Sequence, residues 1–250
     1  MSASPATGVL AGLSREEKAR LFEQLRARGT GAAAPAGIPR LAERPEPLPL
    51  SFAQGRLWVI DRLAPGNPTY HIPTALSVRG SLDPAAMAAA LTGVATRHEA
   101  LRTRFVEAEA GLGQRVEPPA QVPLPMLDLA RLSAAAKARE LERAFLAEST
   151  RPFVLATGPV FRAALARLAP SEHALLLNLH HIVSDGWSSS ILVRETAALY
   201  EAAVERRPCA LRPLPIQYAD FAVWQRRFLS GAELDRQLGF WRERLAGAPR

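Results

Sequence analysis

The chain has 250 residues, 48% of them hydrophobic, which is enough to bury a globular core, and it carries a formal net charge of +7. Its one cysteine, Cys209, excludes an internal disulfide, and neither a signal pattern nor an apolar run of the roughly eighteen residues that a bilayer demands is present, so a cytoplasmic location without membrane contact is expected. Arginines stand beside acidic residues, as in REEKAR and FWRERLA, so the positive charge forms no block; nucleic-acid binding is not expected, and an acidic protein partner makes better use of the excess.

The first predicted element is a helix in LSREEKARLFEQLRARG. Ser14 and Glu17 have capping-box spacing, Gly29 can close the C-terminus, and Leu13, Leu21 and Leu25 give a narrow apolar stripe. Residues 30–50 are rich in Ala and Pro and read as an extended linker. Residues 1–47 are therefore an expected appendage, suited to docking, and residues 48–250 the domain proper.

From Ser51 helical and extended patterns alternate. Ser51 caps a helix in SFAQGRLWVIDRL that ends before Pro65-Gly66, and HIPTALSVRG is a strand. Asp83-Pro84 starts a helix reaching about His98, with Met87, Leu91 and Val94 on one face. LRTRFVE and LGQRVE pair across the turn at Gly111–Gly113. Residues 133–150 read as a helix. VFRAALARL and HALLLNLHH read as strands separated by Ala169-Pro170-Ser171, a helix follows from Trp187 to Val204, and two more follow from Gln217. This mixture predicts an α+β fold, an α/β sandwich with helices flanking one mixed sheet.

The stretch LLLNLHHIVSDGWSSS carries the chemistry. Strand alternation puts His180 and His181 on opposite faces, so one can meet a cavity while the other packs behind it. That geometry argues against a shared metal, and no metal or tightly bound cofactor is expected. Asp185 follows at a strand-to-helix turn as an expected buried carboxylate. Gly186 permits unusual backbone angles and close approach of a substrate. Histidine titrates near about 6.5 as a residue type, so a neutral imidazole can take a proton from an amine or alcohol, and backbone N–H groups near Gly186 can meet an oxyanion. On this pattern alone a plain strand end with a helix cap at Asp185 fits equally well.

Four segments together resemble the condensation domains of nonribosomal peptide synthetases, within the chloramphenicol acetyltransferase-like superfamily. His180-His181-Ile182-Val183-Ser184-Asp185-Gly186-Trp187-Ser188 fits HHxxxDGWS. SFAQGRLWVIDRL supplies Ser51, Ala53, Gln54, Arg56, Leu57 and Trp58 of SxAQxRLWxLxxL. Residues 97–105 fit RHExLRTxF, and residues 218–225 fit YxDFAxWQ. The resemblance covers about residues 48–248. It implies a lobe with a chloramphenicol acetyltransferase-like fold and a tunnel that admits phosphopantetheine arms of two peptidyl carrier proteins. An aminoacyl or peptidyl thioester is joined there to a carrier-bound aminoacyl acceptor, most similarly to domains of the L-to-L type.

By the same resemblance His181 is the catalytic base or positioning group. Asp185 is structural and salt-bridged to an arginine, with Arg56, Arg97 and Arg102 as candidates, and Gly186 supports the thioester carbonyl. Ser188, Trp187 and Trp224 are candidates for the tunnel, although packing in the core fits Trp224 and Trp58 as well. Family members have two lobes and adjacent synthetase domains, so the chain is expected to correspond to the N-terminal lobe and to be weak or inactive without a C-terminal one. A coenzyme A-dependent acyltransferase of the same superfold and a non-catalytic docking module are the competing readings.

Overall fold

A computed structural model describes residues 37–108 and 111–248. The helix expected near Ser14–Gly29 lies outside the described residues. Those from Arg40 onward belong to one compact unit. In chain order its elements are β1 (Leu48–Pro49), α1 (Phe52–Leu63), β2 (His71–Arg79), α2 (Pro84–Arg97), β3 (Thr103–Ala108), β4 (Gly111–Val116), β5 (Met126–Asp128), α3 (Ala134–Thr150), β6 (Phe161–Ala169), β7 (Glu172–His180), α4 (Gly186–Val204), α5 (Tyr218–Phe228) and α6 (Gly231–Arg244).

Local chemistry fixes the helix starts. Ser51 Oγ accepts the Gln54 N–H while Gln54 Oε1 accepts the Ser51 N–H, a closed capping box at the head of α1. Asp83 accepts the amides of Ala85 and Ala86, with Pro84 at the first helical position of α2. Ser133 and Asp185 do the same for α3 and α4.

The strands form two sheets rather than the one expected. The larger has the order β2-β7-β6-β5, with β5 parallel to β6 and the other pairs antiparallel. The smaller has the order β1-β4-β3 and is antiparallel throughout. The fold is α+β, with helices flanking a mixed sheet.

β7 is the buried centre, sheltered from His173 to His180. One face of it, with Leu175, Leu177 and Leu179, packs on Met87, Leu91 and Val94 of α2 and Leu192 of α4. The other face, with Ala174 and Leu176, packs on Leu141 and Phe145 of α3. A strand covered on both faces reads as a continuous apolar run, which HALLLNLHH is. A third cluster, Leu50, Phe105, Phe153, Val160 and Ile182 with Leu57 and Trp58 against it, ties α1 and the smaller sheet to the segment just after β7. Trp58 and Phe105 are therefore core aromatics.

In β4, a Cβ on Gly113 would lie 2.4 Å from the Pro47 side chain, so only glycine lets that segment close on the sheet. The stretch read as a linker is in fact fastened from Leu41 onward. The Leu41 N–H donates to Asp220 Oδ1 at 3.2 Å, and Arg44 pairs with Glu99 at 2.6 Å. Asp220 is wholly buried, and a buried carboxylate needs such donors; the Gln217 N–H at 2.7 Å is another.

Candidate active site

His180 ends β7 on the same face as Ala174 and Leu176, and it is 2% exposed. Phe153 and His71 stand edge-on to its ring at 5.9 and 6.1 Å. Its Nδ1 accepts the Ile182 N–H at 3.1 Å, which fixes the ring as the tautomer protonated on Nε2. Burial, and then the neighbouring His71 and His181 charges, push its pKa down to about 4. The ring is a neutral buried acceptor that shapes the turn after β7. His71 in turn directs Nδ1 at the Ser149 carbonyl, 2.7 Å away, at the end of α3.

His181 has the opposite environment. It is exposed, its N–H is held by the Tyr70 carbonyl at 2.8 Å, and the Tyr70 ring stands edge-on at 6.4 Å. The imidazole opens on a cavity of about 470 Å³ between α1 and the start of α4. Arg56, Leu57 and Ile60 of α1, Asp185, Ser188 and Tyr218 line it with His181. The two histidines thus divide as strand alternation requires.

Asp185 departs from expectation in two respects. It is exposed, and it forms no ion pair among the described residues. Its Oδ1 accepts the Ser188 N–H at 2.8 Å and the Ser188 hydroxyl at 2.6 Å. Those two bonds hold the carboxyl below its ordinary range. The positive end of α4 supplies the compensation that an arginine was expected to give.

Two of the candidate arginines are committed elsewhere. Arg97 Nε donates to Glu195 Oε2 at 2.9 Å, and His98 Nε2 reaches the same oxygen at 2.6 Å, joining α2 to the middle of α4. Arg102 bonds the Glu117 carbonyl and lies 3.8 Å from Glu99. Of the three, only Arg56 shares the His181 cavity.

Gly186 has ordinary helical geometry and does not use the unusual angles open to glycine, because it occupies the first position of α4. A Cβ there would meet nothing within 4 Å, so the space over it is open. Trp187 is 80% exposed beside it. Ser188 faces the cavity while also completing the Asp185 cap. Trp224 does not reach the cavity; it stacks on Phe228 at 4.9 Å, on another side of α5. Tyr218, which sequence reasoning passed over, lines the cavity instead, and so does Tyr70. Among the described residues no three His, Cys, Asp or Glu side chains converge as a metal site would require, and no helix is long and apolar enough to cross a membrane.

An exposed histidine at the end of a buried strand, beside a capped helix N-terminus and an open cavity, is an arrangement suited to acyl transfer. The family model described as Condensation domain matches residues 45–250. The chain belongs to the condensation domain family, whose members have the chloramphenicol acetyltransferase-like fold. It is 45% identical over 201 residues to one of the linear gramicidin synthase proteins of Brevibacillus parabrevis, covering 80% of this chain and 3% of that protein. It is 42% identical over 243 residues to phosphinothricin tripeptide synthetase PhsC of Streptomyces viridochromogenes, covering 96% and 22%.

Solved structures agree. The starter condensation domain of rhizomide synthetase RzmA superposes with a TM-score of 0.72 at 27% identity, over 81% of this chain and 48% of that one. The X-domain from teicoplanin biosynthesis gives 0.76 at 31% identity, over 86% and 46%. The chain thus spans about half the length of these solved domains and a small part of the synthetases.

Proposed function

We propose that this chain supplies the histidine-bearing lobe of an L-to-L condensation reaction in nonribosomal peptide synthesis. A carrier-bound aminoacyl or peptidyl thioester is the donor, and a carrier-bound aminoacyl amine is the acceptor. The observation that carries this reading is the exposed His181 in a cavity that the opposed, buried His180 cannot reach.

The amine nitrogen attacks the thioester carbonyl carbon, forming the C–N bond and a tetrahedral oxyanion. His181 takes or steers the proton that the nitrogen sheds. Collapse reforms the carbonyl and breaks the C–S bond; the phosphopantetheine thiolate leaves and is protonated. The product is an amide on the downstream carrier and a free thiol on the upstream one. Asp185 caps α4 and so fixes the wall opposite α1, and the open space over Gly186 suits an approaching thioester.

Aligning two tethered reactants needs confinement, and effective molarities of about 10⁵ M or more arise only in a closed site. The cavity described here is open. Together with the half-length match to solved condensation domains, this supports a site completed by a second lobe. The net charge of +7 favours acidic carrier proteins as partners. A cytoplasmic setting belongs to the same proposal, as does a docking role for residues 1–47.

Two carriers loaded with L-aminoacyl groups test the reading by intact mass. Dipeptidyl product on the downstream carrier, formed only when a separately expressed second lobe is added, is the expected result. Acyl transfer from coenzyme A with no transfer between carriers contradicts it.

A further inference from the structure

Tyr218 and Ser51 are 167 residues apart in sequence, yet Tyr218 Oη lies 3.0 Å from Ser51 Oγ. The direction of this hydrogen bond follows from what Ser51 must satisfy. Ser51 is 0% exposed, so water cannot reach its hydroxyl. Its Oγ already accepts the Gln54 N–H at 3.1 Å. Among the described residues its only other partner is Tyr218 Oη. If the phenol donated, the serine proton would be buried with no acceptor, a costly state. The serine therefore donates and the phenol oxygen accepts.

That assignment leaves the phenolic proton of Tyr218 to point elsewhere. Tyr218 is 37% exposed, and its free side lines the His181 cavity. Two polar side chains on that wall are unsuited to stabilising an oxyanion. The Ser188 hydroxyl is spent on Asp185, and the Asp185 carboxylate is an acceptor of the wrong sign for an oxyanion. Besides His181, other lining residues with donor side chains are Arg56, Tyr70 and Ser184, none of them held by a buried partner as Tyr218 is by Ser51. We infer that Tyr218 is a further catalytic residue. Its phenolic O–H, aimed by Ser51, donates to the carbonyl oxygen of the thioester and to the oxyanion that forms there. The inference rests on the amide-forming function proposed above. The hydrogen bond strengthens as the oxygen gains charge, so its contribution falls on turnover and not on carrier binding.

The test uses the full chain with its second lobe and two loaded carriers. Tyr218→Phe keeps the ring and removes the proton. It should lower kcat by about 10- to 100-fold with carrier KM unchanged, as loss of an oxyanion donor does. Because Tyr218→Phe also removes the acceptor for Ser51, a second readout separates chemistry from packing. Fluorotyrosines at position 218 lower the phenol pKa at almost constant size. An alkaline limb in the kcat profile that moves to lower pH with each added fluorine is the expected result. A Tyr218→Phe protein as fast as the parent, or a limb unmoved by fluorination, overturns the inference. The function proposed above still stands in that case if His181→Ala is inactive. Full turnover by His181→Ala overturns both.

Discussion

His180 Nδ1 accepts the backbone N–H of Ile182 at 3.1 Å, so the first histidine of the pair is built into the turn that presents the second. The bond requires a neutral ring. With the His180 pKa at about 4 against 6.5 for the free side chain, the unfolded chain binds a proton between those values and the folded one does not. This part of the stability is complete above about pH 6.5 and is lost as pH falls toward 4, by up to about 3 kcal/mol at about 1.4 kcal/mol per tenfold change. Urea melts from pH 7.5 to 4.5 on the parent and on His180→Asn check it. The amide oxygen of asparagine can replace Nδ1 without titrating, so the variant should start less stable and show a flatter acid slope.

Glu195 should be more costly to remove than any exposed acidic residue. It is 5% exposed and shared by Arg97 and His98, so Glu195→Ala leaves the Arg97 charge unpaired between α2 and α4. A loss of about 3–5 kcal/mol is expected from chemical denaturation. Glu233→Ala, which breaks a pair on the surface of α6, should leave the denaturation midpoint nearly unchanged.

Asp185→Ala should cost about 1 kcal/mol of stability, as loss of a helix N-cap does, and Asp185→Asn less. An arginine substitution separates this capping role from the ion pair that the family resemblance implies. Arg97→Ala should destabilise through Glu195 without altering the Asp185 cap, which chemical shifts of the Ser188 amide would report.

Ser184 lies in the same turn, 7% exposed, with its hydroxyl unpartnered. Ser184→Ala removes a buried polar atom that has no compensation. It should leave the melting temperature unchanged or raise it by a few degrees in a thermal scan.

What the sequence made legible was local. The caps at Ser51 and Asp83 occupy the positions their spacing implies, because each is settled within one helical turn. The split between His180 and His181 follows from strand alternation. The two-residue β1 and the three-residue, Pro-flanked β5 carry no periodicity, so the edge that β1 adds to the β3–β4 hairpin and the parallel edge of the larger sheet leave no signal in the pattern.

Partners distant in sequence are equally hidden. Arg97 is a candidate for Asp185 by motif, but Glu195, 98 residues away, holds it. The Tyr218–Ser51 contact spans 167 residues, and nothing in either motif alone announces it. Trp224 suits a wall position by its size. Six positions along a helix of 3.6 residues per turn rotate it about 120° from Tyr218, which takes it off the cavity. The buried state expected of Asp185 fails for a related reason. A helix N-terminus and a serine already satisfy the carboxylate, so no charged partner had to be brought in.

The most direct measurement is the single-turnover rate of amide formation between two loaded carriers, with the second lobe present, for the parent chain and for His181→Ala. A fall of at least about 100-fold in the variant, with its melting temperature retained, is the predicted result. Equal rates in the two proteins would remove His181 from the chemistry and contradict the account.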